Sequence, residues 1–162
     1  MLTKKSKLRL YKTLISPVLM YGAETWTMKK SDENKLDVFE RKVLRRILGP
    51  VREQDGSYRL RYNDECQKEL GESTISKQVK LKQLQWAAHV QRMSAENPTK
   101  KIYEYAPEGR RKRGRPNLRW VDNVDQTAEK LGRRNWRMLT NDRDAWRNVL
   151  REAKIQLESL SH

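Results

Sequence analysis

The chain has 162 residues and a formal net charge of +15, with 36% apolar and 35% charged residues, enough for one modest core or two small ones. Its lone cysteine, Cys66, excludes an internal disulfide and a zinc knuckle built on Cys ligands, and no apolar run reaches the roughly 18 residues of a membrane span. The cationic start lacks the apolar region of a signal peptide, the helix faces are too mixed for a membrane-surface role, and the charge favours a polyanion over an acidic protein partner. A soluble protein of a reducing, intracellular compartment is expected, and five Trp argue against outright disorder.

In chain order, Leu8, Tyr11, Ile15 and Val18 or Leu19 fall at helical spacing, with Pro17 bending the helix before it ends near Tyr21 and Gly22. A second helix opens at Ser31-Asp32-Glu33 and runs through Leu36, Phe39, Val43 and Ile47. It closes with Arg45 and Arg46 before Gly49-Pro50. Asp55-Gly56 marks a turn, after which Tyr58, Leu60 and Tyr62 alternate with Arg59 and Arg61. That pattern suits a short half-buried strand that lacks an evident partner, or equally an irregular arm.

A short helix over Asn63 to Leu70, closed by Gly71, precedes a longer one from about Thr74 to Met93, with Ile75, Val79, Trp86, Val90 and Met93 in one stripe. Asn97-Pro98 ends it, and Lys100 to Gly109 reads as a linker. Beyond Pro116, Leu118, Val121, Val124, Ala128 and Leu131 share a face and Gly132 is placed as a left-handed cap. A last helix from about Asn141 to Leu160 carries Trp146, Val149, Leu150, Ala153, Leu157 and Leu160. The fold class is all-α: an irregular helical bundle with a short strand or arm and a basic loop.

That loop carries the strongest functional signal. Arg110, Arg111, Lys112, Arg113, Gly114, Arg115, Pro116, Asn117, Leu118 and Arg119 hold six cations and no acid. Such self-repulsion is relieved by a polyanion, because each neutralised phosphate releases counterions. Gly114 lets the backbone lie close to a groove, Pro116 holds it extended, and Arg113 and Arg115 can enter a narrow minor groove, in the manner of an AT-hook. A solvated basic loop or a nuclear-localisation patch is the plainer reading. Trp120, beside Arg119, is a candidate for stacking on an unpaired base, whereas Trp86 and Trp146 read as core. The block lies just before a helix N-terminus, which itself favours phosphate.

Three stretches, Leu14-Ile-Ser-Pro-Val-Leu-Met-Tyr-Gly-Ala-Glu-Thr-Trp26, Leu81-Lys-Gln-Leu-Gln-Trp-Ala-Ala-His-Val-Gln-Arg-Met93 and Gly109 to Asp122, together with Asp142-Arg143-x-x-Trp146-Arg147, carry a family resemblance. From about Lys5 to Ala153 the chain resembles the carboxy-terminal part of the endonuclease-reverse transcriptase of LINE-type, non-LTR retrotransposons, most closely the RTE and BovB group. The resemblance implies a thumb-like helical segment at 1–50, a connecting arm at 51–72, a helix and linker at 73–109, and a basic loop with C-terminal helices at 110–162. It also implies a nuclear location and a task of holding element RNA or target DNA. The family's palm and endonuclease lie upstream of the matching region, and no Tyr-x-Asp-Asp sequence occurs, so no catalytic residue carries over. On this resemblance the start at Met1 points to a truncated or decayed element copy, or a gene derived from one.

The expectation is a non-catalytic nucleic-acid-binding fragment, with no metal and no cofactor. The alternative is a protein-interaction module whose apolar helix faces dock on the missing polymerase domains or on a second copy. An enzyme in its own right would need converging carboxylates. Asp122 and Asp125 are one helical turn apart, but such pairs on a charged helix ordinarily balance cations, here Arg119 and Arg133. His89 reads as a core-edge or phosphate-contact residue, and Cys66 as a somewhat reactive thiol without a catalytic partner.

Overall fold

Apolar residues at a spacing of three and four, punctuated by Gly at helix ends, dictate a helical chain. The computed structural model describes residues 2–105, 114 and 118–159, with side chains as far as residue 157. It is mainly helical, as expected, and divides into two units: Met1–Gly22 with Lys30–Val79, and Ala23–Lys29 with Lys80–His162. Among the described residues no helix is long and apolar enough to cross a membrane.

In the first unit, α1 (Lys4–Leu10) is capped by Thr3, whose Oγ1 accepts the Ser6 N–H at 3.1 Å. It continues through a π-helical turn, Tyr11–Ile15, into α2 (Ser16–Leu19). The wide turn directly precedes Pro17, whose ring in a regular helix would meet the carbonyl four residues back. Seating an extra residue rotates the next turn of helix. Tyr11 is therefore buried while Ile15 and Val18 are exposed, which breaks the single stripe read from the sequence.

Helix α3 (Lys30–Leu48) has the predicted charges at both ends and stops at Gly49, whose φ of +73° suits only glycine well. Its most buried face is nevertheless rotated from the expected one: Glu33, Glu40, Leu44 and Leu48 are buried, Leu36, Val43 and Ile47 half-buried, and Phe39 exposed. The carboxylates explain this. Glu40 accepts hydrogen bonds from the Tyr11 hydroxyl and the Ile75 N–H, each at 3.2 Å. Asp37 accepts the Ser76 N–H at 3.3 Å and its hydroxyl at 2.9 Å. Both amides belong to the first turn of α5 (Ile75–Gln91), where backbone donors lack helical partners. Burial, opposed only in part by these bonds, raises the Glu40 carboxyl to about 7.

The lone strand finds its partner in Val51–Arg52, here β1, which pairs antiparallel with β2 (Tyr58–Arg59) in the register Val51 to Arg59 and Arg52 to Tyr58. Its faces are inverted from expectation, since Tyr58, Leu60 and Tyr62 are exposed and Arg59 and Arg61 point inward. Arg59 bonds Glu65 at 2.6 Å and Glu53, and lies 4.4 Å over the Tyr62 ring, while Arg61 donates to the Gly49 carbonyl at 3.1 Å. The Arg59 hydrogen bonds hold Glu65 down at about 2. Helix α4 (Asn63–Leu70) closes at Gly71, as predicted, and packs with α1 on α3. Its Cys66 is fully buried and burial pushes the thiol up, so the expected reactivity does not hold.

The second unit is built on a core from α5, α7 (Trp120–Lys130), α8 (Trp136–Leu139) and α9 (Arg143–Ser159). Leu84, Ala87, Ala88, Val124, Ala128, Leu131, Trp136, Trp146, Val149, Ala153 and Leu157 fill it; Leu160 lies outside the described residues. The stretch read as a linker is partly helix: α6 (Pro98–Glu104) starts on Asn97, whose Oδ1 accepts the Thr99 N–H at 2.9 Å. Asn-Pro both ends one helix and begins the next, because proline's missing N–H costs nothing in a first turn. Within α6, the buried Lys100 donates to the Gln91 carbonyl at 2.6 Å and pairs with Glu104 at 3.2 Å.

Candidate nucleic-acid interface

Of the basic block, Arg110, Arg111, Lys112, Arg113, Arg115 and Pro116 lie outside the described residues. Gly114 is an exposed bend with φ of +132°, a conformation that side-chain-bearing residues rarely adopt. Arg119 is exposed and caps α7 through its backbone: its N–H donates to Asp122 Oδ2 at 3.0 Å and its guanidinium approaches Oδ1 at 3.4 Å. A carboxylate thus occupies part of the anion-favouring helix end. Phosphate there has to compete with Asp122.

Trp120 is half-buried and fixed. Its Nε1–H donates to the Glu24 carbonyl at 2.7 Å, and its ring meets Tyr103 edge-on, centroids 5.9 Å apart at 74°. The stretch around it is a latch. Gln83 donates to the Trp26 carbonyl at 2.6 Å, and Asn123 exchanges two bonds with the Met28 backbone, at 3.0 and 2.8 Å. The Ala23–Lys29 segment, which a sequence pattern flags only as Glu-x-Trp, is held in the second unit by its own backbone.

The latch forms one rim of a cleft that sequence reasoning missed. Glu24, Lys82, Gln85, Trp86, His89 and Arg92 line an open space of about 380 Å³. Trp86, expected in the core, is half-buried, and His89 is exposed against it, with ring centroids 5.2 Å apart and planes at 38°. Arg92 is steadied by a 3.0 Å bond to the Thr140 carbonyl. The recoverable signal was the spacing of Lys82, Gln85, His89 and Arg92, which puts polar groups on one face of α5 beside an aromatic.

Further cations stand in a row on α9, where Arg143, Arg147, Arg151 and Lys154 are exposed at three- and four-residue spacing. Arg147 also pairs with Asp144 at 2.7 Å. The carboxylates weighed as metal ligands have other work. Asp122 serves Arg119, as expected, whereas Asp125 serves Arg137 at 2.9 Å and the Trp136 Nε1–H at 2.9 Å rather than Arg133, which pairs with Glu152. Among the described residues no three His, Cys, Asp or Glu side chains are grouped to hold a metal ion.

Over an alignment of 156 residues that covers 91% of the chain, it is 27% identical to an uncharacterized transposon-derived protein of Caenorhabditis elegans. It spans about half the length, 55%, of that relative. No family model matches the chain, and no solved structure does.

Proposed function

We propose that this chain is a transposon-derived, non-catalytic segment that holds RNA or DNA electrostatically, as the carboxy-terminal part of a LINE-type reverse transcriptase of the RTE and BovB group would. The observation that carries the reading is the charge of the Arg110 to Arg119 block, six cations without an acid. The exposed row on α9 extends the cationic surface, and similarity to a transposon-derived protein supports the origin.

With about five phosphates neutralised, the logarithm of duplex affinity should fall against the logarithm of salt with a slope near −4.5. The double variant Arg113→Ala/Arg115→Ala should lower that slope by about 1.8. A loss confined to AT-rich duplex would mark minor-groove reading, and an equal loss on AT-rich duplex, GC-rich duplex and single-stranded RNA would mark general phosphate clamping. A flat salt response of the wild type would sink the reading.

A specific observation favours a second reading, an interaction module. Leu14, Val18 and Tyr21 are 60%, 77% and 86% exposed on and just after the first helices, more apolar surface than a lone scattered residue explains. On this reading the face meets a polymerase body or a second copy. Sedimentation should then show association rising with concentration and abolished in Leu14→Glu/Val18→Glu, whereas a monomer at all concentrations would remove self-association.

A further inference from the structure

The geometry points to a second, separate contact in the α5 cleft: a site for an unpaired nucleotide, its base stacked on Trp86 and its flanking phosphates held by Lys82 and Arg92. This extends the nucleic-acid reading and rests on that reading's ligand class, though not on the basic block. A fully packed tryptophan has no face to offer, but Trp86 is half-buried at the wall of an open cleft. Its volume, about 380 Å³, falls in the range of about 300–1,000 Å³ typical of small-ligand sites.

Lys82 lies on α5 and Arg92 is the residue just past its end, where its N–H still reaches the Ala88 carbonyl at 3.3 Å, so the ten-residue separation spans about 15 Å. They bracket the aromatic pair, so a single strand can cross it with a phosphate near each end. His89, tilted against Trp86, restrains the indole and adds a donor for phosphate or ribose. The bond from Arg92 to the Thr140 carbonyl uses one N–H of its guanidinium and holds the side chain in place while other N–H donors remain for phosphate, so less side-chain freedom is lost on binding.

The one acidic group on the rim argues for a nucleobase rather than for phosphate alone. Glu24 belongs to the latched segment, its main chain held by the Trp120 indole. A carboxylate there repels phosphate but accepts from the exocyclic amino groups of adenine, cytosine or guanine, which thymine and uracil lack. Gln85 adds both a donor and an acceptor. An acidic peptide would satisfy Lys82 and Arg92 yet leave the indole face and Glu24 without a partner.

The test is fluorescence anisotropy of the full chain with labelled single strands: an adenine-rich strand, a thymine-rich strand and an abasic strand of equal length, beside a duplex. Trp86→Leu keeps apolar bulk and removes stacking. It should weaken the adenine-rich strand roughly tenfold, within the range for one stacked base, and leave the duplex unchanged. Wild-type protein should likewise bind the abasic strand roughly tenfold more weakly than the adenine-rich one, a comparison that does not depend on the variant folding. Glu24→Gln should narrow the preference for adenine over thymine.

Equal binding of abasic and adenine-rich strands by the wild type would overturn the site, and full competition by an acidic peptide would reassign the cleft to a protein ligand. The two readings fail separately. Loss of duplex salt dependence removes the basic block and leaves the Trp86 effect standing, whereas an inert Trp86→Leu beside a salt-dependent duplex removes only the cleft.

Discussion

Replacing Trp136 with alanine should destabilise the second unit by about 3–5 kcal/mol, the cost of truncating a buried aromatic. Trp136 is 1% exposed, packs against Trp146 with ring centroids 6.1 Å apart and planes tilted by 43°, and carries the Arg137 guanidinium 4.7 Å over its ring. Its Nε1–H also satisfies Asp125 at 2.9 Å, so the variant opens a cavity and strips a carboxylate of a donor together. Such a loss is a large part of the roughly 5–15 kcal/mol that holds an ordinary domain. Urea denaturation followed by near-ultraviolet circular dichroism should show the midpoint fall sharply or the transition disappear. Trp136→Phe keeps most of the volume and should cost only about 1–2 kcal/mol, for the hydrogen bond. An alanine variant within about 1 kcal/mol of wild type would mean the indole is not a keystone.

Raising the pH from about 5 to about 8 should weaken the first unit, with Glu40 as the cause. Its carboxyl stands at 4.5 when unperturbed and at about 7 in the fold, raised first by burial and further by Asp37 and Glu72. The fold therefore prefers the protonated acid. That stabilisation is complete below the unfolded value and is lost as pH climbs through about 7. About 1.4 kcal/mol for each pH unit of the interval sets a ceiling of about 3 kcal/mol. The groups facing Glu40 are the Tyr11 hydroxyl, itself raised, and Asp37 and Glu72, the latter paired with Lys12 at 3.0 Å. Glu65, held down by Arg59 at about 2, works in the opposite sense. It contributes above its ordinary value and loses that contribution as pH falls toward 2, so it does not mask the Glu40 window. Glu40→Gln keeps a carbonyl oxygen to accept the Ile75 N–H and can donate its amide N–H to the Tyr11 oxygen, and its urea midpoint should change little with pH where the wild type's declines. Parallel pH profiles for the two proteins would remove Glu40 as the cause.

Those two residues also mark where sequence reasoning reached and where it stopped. The ends of α3 and α4 were legible because caps are local: acids, arginines and glycines act within a turn of the backbone they satisfy. The buried face of α3 was not, because Glu40 is drawn inward by partners 29 and 35 residues away, Tyr11 and Ile75. Trp136 went unnoticed in a four-residue helix, too short for any periodicity to show. The inverted strand had the same origin, since alternation fixes which residues share a face but not which face is buried. Arg59 turned inward because Glu53 and Glu65 await it. At the candidate interface the block was legible as charge alone. The cleft was hidden because Trp86 sits at core spacing on α5 and shares the cleft lining with Glu24, 62 residues earlier in the chain.

Cys66 is the chain's single thiol, and it lies in the first unit, buried and with its ionisation suppressed. All five tryptophans, Trp26, Trp86, Trp120, Trp136 and Trp146, fall in the second. Nature has thereby installed two probes that do not overlap. A water-soluble alkylating reagent can label the thiol only when the first unit opens, so the labelling rate clocks that opening, while indole emission follows the other unit. One unlabelled wild-type sample can therefore reveal whether the two halves melt together or in sequence.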